Sequence, residues 1–173
     1  MRIIAGEFRS RKIISPEGAD VRPTSDRLRE TLFNILQSEI EGAVFIDAYA
    51  GTGAVGIEAL SRGARHVIFL EKDRDAVEII KQNLAALKIG SRARIIKGHA
   101  ANLLRTLEAD IVFADPPYPK EREYQAAFDA VQEKPPKLLI LQHSSRFAPP
   151  ETPARIVKQG DNALSFYRFA PIA

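Results

Sequence analysis

The sequence contains no cysteine, which excludes a disulfide-stabilised scaffold and a zinc site built from thiolates. It also has no apolar run approaching the roughly 20 residues of a membrane-spanning helix. The N-terminus turns charged too soon for a signal peptide. We therefore expect a cytoplasmic protein with no membrane partner. The 173 residues hold no internal repeat and no long linker, which predicts a single domain over residues 1–173.

The positive charge is concentrated at the N-terminus, although the net charge of the whole chain is only +3. Residues 1–12 hold four cationic side chains and one acidic side chain, so this segment alone matches the net charge of the chain. A basic segment ahead of a nearly neutral body favours a partner with a phosphate backbone. A solvated arm with scattered charge is the alternative. The candidate cations for phosphate contacts are Arg2, Arg9, Arg11, Lys12, Arg22, Arg27 and Arg29.

Residues 1–23 form the predicted basic extension, and residues 24–173 form the predicted core. Within the extension, the apolar pairs at 3–4 and 13–14 could pair as a small hairpin. Residues 23–26 combine hydroxyl caps with an acid, which is typical of a helix start. The apolar residues that recur at helical spacing after this start are Leu28, Leu32, Ile35 and Leu36.

Short apolar runs alternate with amphipathic stretches through the rest of the chain, which predicts a parallel sheet covered by helices on both faces. The expected strands are 44–48, 66–70, 93–96, 110–114 and 137–141, and the expected helices are 54–62, 74–88, 100–107 and 121–133. Residues 154–159 and 163–169 flank a turn, Gly160-Asp161-Asn162, and predict an antiparallel hairpin at the sheet edge. The fold class is therefore α/β, a Rossmann-like, doubly wound and mostly parallel sheet with a C-terminal antiparallel hairpin.

The first predicted strand leads into a glycine-rich turn with Asp47 at the strand end and the string Gly51-Thr52-Gly53-Ala54-Val55-Gly56 after it. Such a turn lets the backbone approach a ligand, and by itself it fits a dinucleotide enzyme. A carboxylate before the turn would repel a pyrophosphate, and Ala48-Tyr49-Ala50 makes the turn longer than the dinucleotide form. Asp47 suits a cationic ligand instead, such as the amino acid end of S-adenosylmethionine.

The second predicted strand ends in Glu71, about 20 residues after the glycine turn, where an acid can accept hydrogen bonds from ribose hydroxyls. Glu71 would suit either a dinucleotide or S-adenosylmethionine, so it predicts a nucleoside site without indicating which of the two cofactors binds. Helix capping by Asp47 and a solvated Glu71 are the alternatives. The candidate cofactor-binding residues are Asp47, Tyr49, Ala50, Gly51, Thr52, Gly53, Gly56, Glu71, Lys72, His99 and Ala100.

The fourth predicted strand ends in Asp115-Pro116-Pro117-Tyr118, the most specific string in the chain. Two prolines fix the backbone and remove two N–H donors, which leaves carbonyl groups above the strand end. The carboxylate of Asp115 and the carbonyl of Pro116 could accept hydrogen bonds from both N–H groups of an exocyclic amine. This would free the lone pair of the nitrogen for attack on a methyl sulfonium. The ring of Tyr118 offers a stacking face for a base taken out of its stack. No metal is required.

These strings resemble the bacterial 16S rRNA guanine-N2 methyltransferases over nearly the whole chain. The similar segments are residues 2–12, residues 22–36, residues 47–64 and residues 115–118. The resemblance implies a class I, S-adenosylmethionine-dependent enzyme that methylates a guanine N2 in the small ribosomal subunit, or in an assembly intermediate. It also implies that the basic extension binds RNA. We expect a monomer.

The sequence departs from many S-adenosylmethionine enzymes after the third strand, where Gly98-His99-Ala100 stands in place of a string with an acid for the adenine amine. The residues alone leave other functions open. Adenine-N6 and cytosine-N4 amines need the same acceptors as guanine N2. A nicotinamide-dependent oxidoreductase and an inactive RNA-binding module are further alternatives, although no hydride-transfer site is evident.

Overall fold

The computed structural model describes residues 1–16, 25–117 and 121–170. Its strands are β1 (Val44–Ala48), β2 (His66–Glu71), β3 (Ala93–Lys97), β4 (Ile111–Ala114), β5 (Leu138–Ser144), β6 (Arg155–Gln159) and β7 (Asn162–Arg168). Its helices are α1 (Asp26–Ile35), α2 (Ala54–Ser61), α3 (Arg74–Ala86), α4 (Ala100–Leu103) and α5 (Glu121–Val131), with a 3₁₀ turn at Gly90–Arg92.

Seven strands within these described ranges form one sheet in the order β3-β2-β1-β4-β5-β7-β6. The first five strands run parallel to one another, and β7 pairs antiparallel with both β5 and β6. The chain order reverses at β1, which lies between β2 and β4. In open sheets of this kind, ligands bind outside the carboxyl ends of the strands at that reversal.

Apolar side chains alternate across the inner strands and build a core on each face of the sheet. Phe45, Phe69 and Phe113 point to the face covered by α1, α2 and α3, whereas Ile46 and Leu70 point to the face covered by α4 and α5. A parallel sheet needs this double cover because both of its faces are apolar. The predicted α/β fold with a C-terminal hairpin is confirmed.

Two helices, α1 and α3, begin directly after a residue whose side chain caps the helix. Ser25 precedes α1, and its Oγ accepts a hydrogen bond from the Leu28 amide at 3.1 Å. Asp73 caps α3 in the same way, through the Ala76 amide at 2.8 Å. These oxygens satisfy amides that a helix cannot bond internally. The predicted start of α1 is therefore confirmed at Ser25, while its other predicted cap residues lie outside the described residues.

All four helices predicted over residues 54–133 are longer than the observed ones. The helices expected over 54–62 and 74–88 end at Ser61 and Ala86. The helix expected over 100–107 ends at Leu103, and the hydroxyl of Thr106 donates to the Leu103 carbonyl at 3.1 Å in the turn that follows. The helix expected over 121–133 ends at Val131. All four differences lie at the C-terminal ends of helices, where hydroxyl and amide side chains compete for the last backbone groups.

We define the N-terminal arm as residues 1–16. An isolated antiparallel bridge between Arg2 and Lys12 supports the predicted pairing, and Ile3, Phe8 and Ile13 enter the core beside α1 and α2. The arm is thus part of the packed structure and does not extend freely into solvent. Its apolar residues alternate with the exposed cations that the sequence analysis singled out.

Two side chains of α2 anchor the arm. Glu58 is fully buried, and its carboxylate accepts hydrogen bonds from the amides of Ile4 and Ala5 at 3.0 to 3.2 Å. The hydroxyl of Ser61 donates to the Ala5 carbonyl at 2.6 Å. Gly6 follows at a φ of +87°, so close to α2 that a Cβ atom would lie 1.9 Å from the Ser61 carbonyl oxygen. Glycine is required here by space as well as by backbone conformation.

We predict that Gly6→Ala destabilises the protein more than Gly42→Ala. Both glycines have a positive φ, +87° and +75°, but a Cβ at Gly42 meets no atom within 4 Å. Gly42→Ala, the control, therefore lowers the free energy of unfolding only through its left-handed backbone, by about 1 kcal/mol. Gly6→Ala adds a steric collision that costs about 1 to 3 kcal/mol more. Urea unfolding measures both variants. Equal losses would show that the arm does not pack against α2 as described.

Candidate functional site

A cavity of about 1060 Å³ opens at the carboxyl ends of the parallel strands. The glycine turn after β1, the end of β2 and the start of α4 line one part of it, and the loop after β4 and the end of β5 line the other. The cavity includes most of the predicted cofactor residues: Asp47, Tyr49, Ala50, Gly51, Thr52, Glu71, Lys72, His99 and Ala100. It also includes Asp115, Pro116 and Pro117 of the predicted catalytic string. The structure therefore brings the two predicted sites together.

The glycines of the turn have different surroundings. Gly51 adopts a φ of +58° and lines the cavity, and a Cβ there would meet nothing within 4 Å. Gly53 and Gly56 do not line the cavity. A Cβ at Gly56 would lie 2.4 Å from the ring of Phe69, so this glycine lets α2 pack against β2. We therefore correct the assignment of Gly53 and Gly56 from ligand contacts to residues that shape the turn.

Asp47 caps a helix and also lines the cavity, so its predicted contact with a cationic ligand stays a prediction. Its side chain is buried, and Oδ2 accepts a hydrogen bond from the Gly56 amide at 2.9 Å, which caps α2. The same residue lines the cavity. Burial raises the pKa of the Asp47 carboxyl well above its usual range, and the nearby acids Glu71 and Asp115 add to this effect. A cationic group in the cavity would favour the ionised form.

Glu71 fixes the other side of the turn. Its Oε2 accepts from the Gly51 amide at 2.8 Å, and its Oε1 accepts from the Asp73 amide at 2.9 Å. Each carboxylate oxygen has a second lone pair, so these bonds leave acceptor capacity for the hydroxyl groups of a ligand. Glu71 is thus oriented by the backbone and is not merely solvated at the strand end.

The residues that follow β3, where the sequence differs from many S-adenosylmethionine enzymes, line the same cavity. His99 and Ala100 line it at the start of α4, and the side chain of His99 is exposed while Ala100 is buried. His99 does not cap the helix through its side chain. Where the sequence lacks an acid, an imidazole and a methyl group therefore line the cavity.

The loop after β4 places a carboxylate deep in the cavity. Asp115 follows Ala114, the last residue of β4, and burial raises the pKa of its carboxyl to about 7. Pro116 is buried, and Pro117 is exposed at the rim. Tyr118 lies outside the described residues, so its stacking role stays a prediction.

The end of β5 faces this loop. His143 lies in the lining, but its Nε2 is 2.6 Å from the Ser165 hydroxyl and its Nδ1 is 2.8 Å from the Ser144 carbonyl oxygen. Its ring also packs edge-on against Tyr124 and Phe147. Burial lowers the pKa of His143, which favours the neutral ring. These contacts occupy both ring nitrogens of His143 and give it a structural role.

Tyr49 has a partner that sequence reasoning missed. This residue has a φ of +60°, unusual for a side chain of its size, and its hydroxyl donates to Glu123 Oε2 at 3.1 Å. Burial, followed by the charge of Glu123, raises the pKa of Tyr49. The bond joins the glycine turn to the first turn of α5. The positive φ leaves no signal in the sequence, because glycine or asparagine would be the usual residue there.

A family model described as conserved hypothetical protein 95 matches residues 1–168. The chain belongs to this family. YlbH of Bacillus subtilis (strain 168) is 32% identical over 166 residues, which cover 91% of this chain and 90% of that protein. The ribosomal RNA small subunit methyltransferase D of Escherichia coli (strain K12) is 44% identical over 120 residues, which cover 68% of this chain and 60% of that protein.

A solved structure of this kind, the Escherichia coli protein yhhF, superposes on the chain with a TM-score of 0.84 at 33% identity and covers 97% of both chains. The family resemblance predicted from the sequence is therefore confirmed. In the described part of the chain, no helix is long and apolar enough to cross a membrane.

The seven cations predicted to contact RNA divide into four groups, of which the buried Arg29 is the last. Arg9, Lys12 and Arg27 are exposed. Arg2 and Arg11 are exposed too, and each donates to a backbone carbonyl, that of Ser10 at 2.7 Å and that of Ala86 at 3.0 Å respectively. Arg22 lies outside the described residues, so its role stays a prediction.

The prediction for Arg29 is wrong. Its side chain is fully buried and holds the N-terminus, with Nη2 donating to the Arg2 carbonyl at 2.5 Å and to Asp26 Oδ1 at 3.2 Å. A guanidinium without solvent exposure cannot contact a phosphate backbone. Spacing on α1 explains the error, because Arg29 follows Leu28 on the side that packs against the arm.

We predict that Asp115→Asn stabilises the free protein more at pH 8 than at pH 5. The wild-type carboxyl has a pKa of about 7 when folded and an ordinary value of 3.8, so folding disfavours its ionisation. The resulting loss of stability grows as pH rises from 3.8 to 7 and is constant above. The advantage of asparagine is expected to grow by about 2 kcal/mol between pH 5 and pH 8.

Asp110→Asn serves as the control, because this substitution is expected to destabilise the protein. A hydrogen bond from the Val44 amide, together with Lys137, lowers the pKa of Asp110, so its ionised form stabilises the fold and the asparagine variant loses this at neutral pH. Urea titrations at the two pH values measure both effects. A pH-independent difference between wild type and Asp115→Asn would contradict the burial of this carboxylate.

Proposed function

We propose that this protein transfers a methyl group from S-adenosylmethionine to the exocyclic N2 amine of a guanine in small-subunit ribosomal RNA. The observation that carries this proposal is the placement of Asp115, at the end of β4, in one cavity with Asp47 and Glu71. The relative named ribosomal RNA small subunit methyltransferase D supports ribosomal RNA as the substrate. The choice of guanine N2 rests on the family resemblance.

The residues of the cavity fit the cofactor by their chemistry. Asp47 is a buried carboxylate whose pKa is raised, so it would be stabilised by the cationic amino group of the methionine end. Glu71 has acceptor capacity for the ribose hydroxyls, and Gly51 leaves open space beside the turn. When bound, S-adenosylmethionine supplies an activated methyl group on a positively charged sulfur.

Asp115 and the backbone after it would prepare the amine for attack. The lone pair of a base amine is delocalised into the ring, which makes the nitrogen a poor nucleophile. The carboxylate of Asp115 and the carbonyl of Pro116 accept hydrogen bonds from its two N–H groups and favour a tetrahedral nitrogen. Aligning that nitrogen with the methyl group provides most of the remaining acceleration.

The proton balance also involves Asp115. With S-adenosylmethionine bound as methyl donor, the methylated nitrogen would be more acidic and would release one proton. Asp115 can take it, because burial holds the pKa of this carboxyl near 7 and the ionised and neutral forms are close in energy. The proton then passes to water at the cavity opening, and no covalent enzyme intermediate is needed.

The experiment that tests the function is tritiated methyl transfer to 16S rRNA that lacks the modification. Naked RNA and assembled subunits are compared, and the product is digested to nucleosides. A single peak of N2-methylguanosine is the expected result, and the better substrate indicates the assembly stage. Label in N6-methyladenosine or N4-methylcytidine would show that the target base is adenine or cytosine and not guanine. Absence of transfer to any RNA would overturn the proposal.

We predict that Asp115→Ala retains cofactor binding but loses methyl transfer by at least about 100-fold, because it removes the acceptor and the base together. Asp129→Ala is the matched control, since this aspartate is exposed on α5. Single-turnover rates at saturating cofactor separate chemistry from binding. Retained turnover in Asp115→Ala would remove this residue from the mechanism.

We predict that the double variant Arg9→Glu, Lys12→Glu weakens RNA binding and flattens its salt dependence by up to about two units of slope. Both side chains are exposed on the arm. The control is Arg105→Glu, Lys134→Glu, which makes the same charge change after the ends of α4 and α5, where the two residues pair with Glu133 and Glu108. An equal effect of both double variants would indicate a general charge effect and would contradict binding by the arm.

A further inference from the structure

The end of the N-terminal arm reaches the cavity. Pro16 belongs to its lining, together with Ala76 and Ile79 of α3 and with Thr52 of the glycine turn. The cationic part of the arm and this lining residue lie on one continuous segment. The arm is therefore a structural part of the cavity wall as well as a carrier of positive charge.

One buried side chain holds this end of the arm in place. Asn83 of α3 is 2% exposed, and its Oδ1 accepts from the Ile14 amide at 2.7 Å. Its Nδ2 donates to the Ile14 carbonyl at 3.1 Å and to the Thr52 carbonyl at 3.0 Å. The amide thus uses both donors and its acceptor to join the arm to the glycine turn.

A buried and fully bonded asparagine is most often a purely structural residue. Two observations point further for Asn83. Both of the segments that it joins contribute a lining residue, Pro16 on the arm and Thr52 on the turn. The side chain of Ile14 is 47% exposed, so its own packing fixes this end of the arm less firmly than the buried Ile13 does.

We propose that Asn83 is a positioning residue for the cofactor: it fixes residues 14–16 against the glycine turn so that the arm forms one wall of the cofactor cavity. This inference rests on the proposed function, because it assumes that the cofactor occupies this half of the cavity. Pro16 suits such a wall, since its ring is apolar, its φ is fixed and it presents no N–H donor. With Ala76 and Ile79, it provides an apolar surface for the nucleobase of the cofactor.

A preformed wall increases affinity because the segment loses little conformational freedom when the ligand binds. Without the three bonds of Asn83, residues 14–16 would have to be ordered by the cofactor itself. The cofactor affinity would fall, while Asp115 and the reaction at saturating cofactor would be unaffected. This pattern separates a positioning role from a general loss of stability.

The test measures binding of S-adenosylhomocysteine by calorimetry, in the full chain, for Asn83→Ala and Pro16→Gly. Glu58→Ala is the matched control, because Glu58 anchors residues 4 and 5 of the same arm but does not line the cavity. We expect the dissociation constant to rise roughly tenfold in the first two variants and to stay within about twofold of wild type in the control. Melting temperatures are expected to fall in both Asn83→Ala and Glu58→Ala. The KM for the cofactor rises in Asn83→Ala while kcat is kept.

Two results would overturn the proposal: an unchanged dissociation constant in Asn83→Ala, or an equal rise in Glu58→Ala. If Asn83→Ala does not fold, Pro16→Gly decides alone, since Pro16 is exposed and its replacement removes the wall without touching the core. Failure of the wild-type protein to bind either S-adenosylhomocysteine or S-adenosylmethionine would overturn the proposed function itself, and this inference with it.

Discussion

The glycine turn after β1 is the constraint on which the rest of the site depends. Three polar side chains from three different elements hold its backbone: Asp47 bonds the Gly56 amide, Glu71 bonds the Gly51 amide, and Asn83 bonds the Thr52 carbonyl. Bonds between side chains and backbone in a poorly solvated region are costly to break, because the partner would be left unsatisfied. The turn is therefore rigid before any ligand arrives, and the cavity has its shape in advance.

The same turn links regions that are distant in the sequence. Tyr49 connects it to Glu123 in the first turn of α5, and Asn83 connects it to Ile14 in the arm. In the proposed reaction, the carboxylate of Asp115 can act only if cofactor and base are held on either side of it. The hydrogen bonds around the turn provide that common frame, and the apolar core on both faces of the sheet supports it.

Much of the fold was predictable because parallel strands that are buried on both faces leave continuous apolar runs. The first strand, 44–48, has the predicted limits. The fifth strand was predicted to end at residue 141, but β5 continues to Ser144 through Gln142 and His143. These polar residues look like a loop in the sequence, yet β7 pairs with them as far as Asn162 and buries most of them. Strand pairing over a long separation overrides the local pattern here.

The sequence by itself determined the alternation of strands and helices, the position of the glycine turn, and the acids at the ends of β1, β2 and β4, because periodicity and turn chemistry are local properties. Only the tertiary structure decided which of two cations on α1 is accessible: Arg27 is exposed and Arg29 is buried. It also decided that Gly56 packs against Phe69, and that Pro16 joins the cavity. Burial and proximity arise from contacts between residues far apart in the chain, and no spacing along the sequence records them.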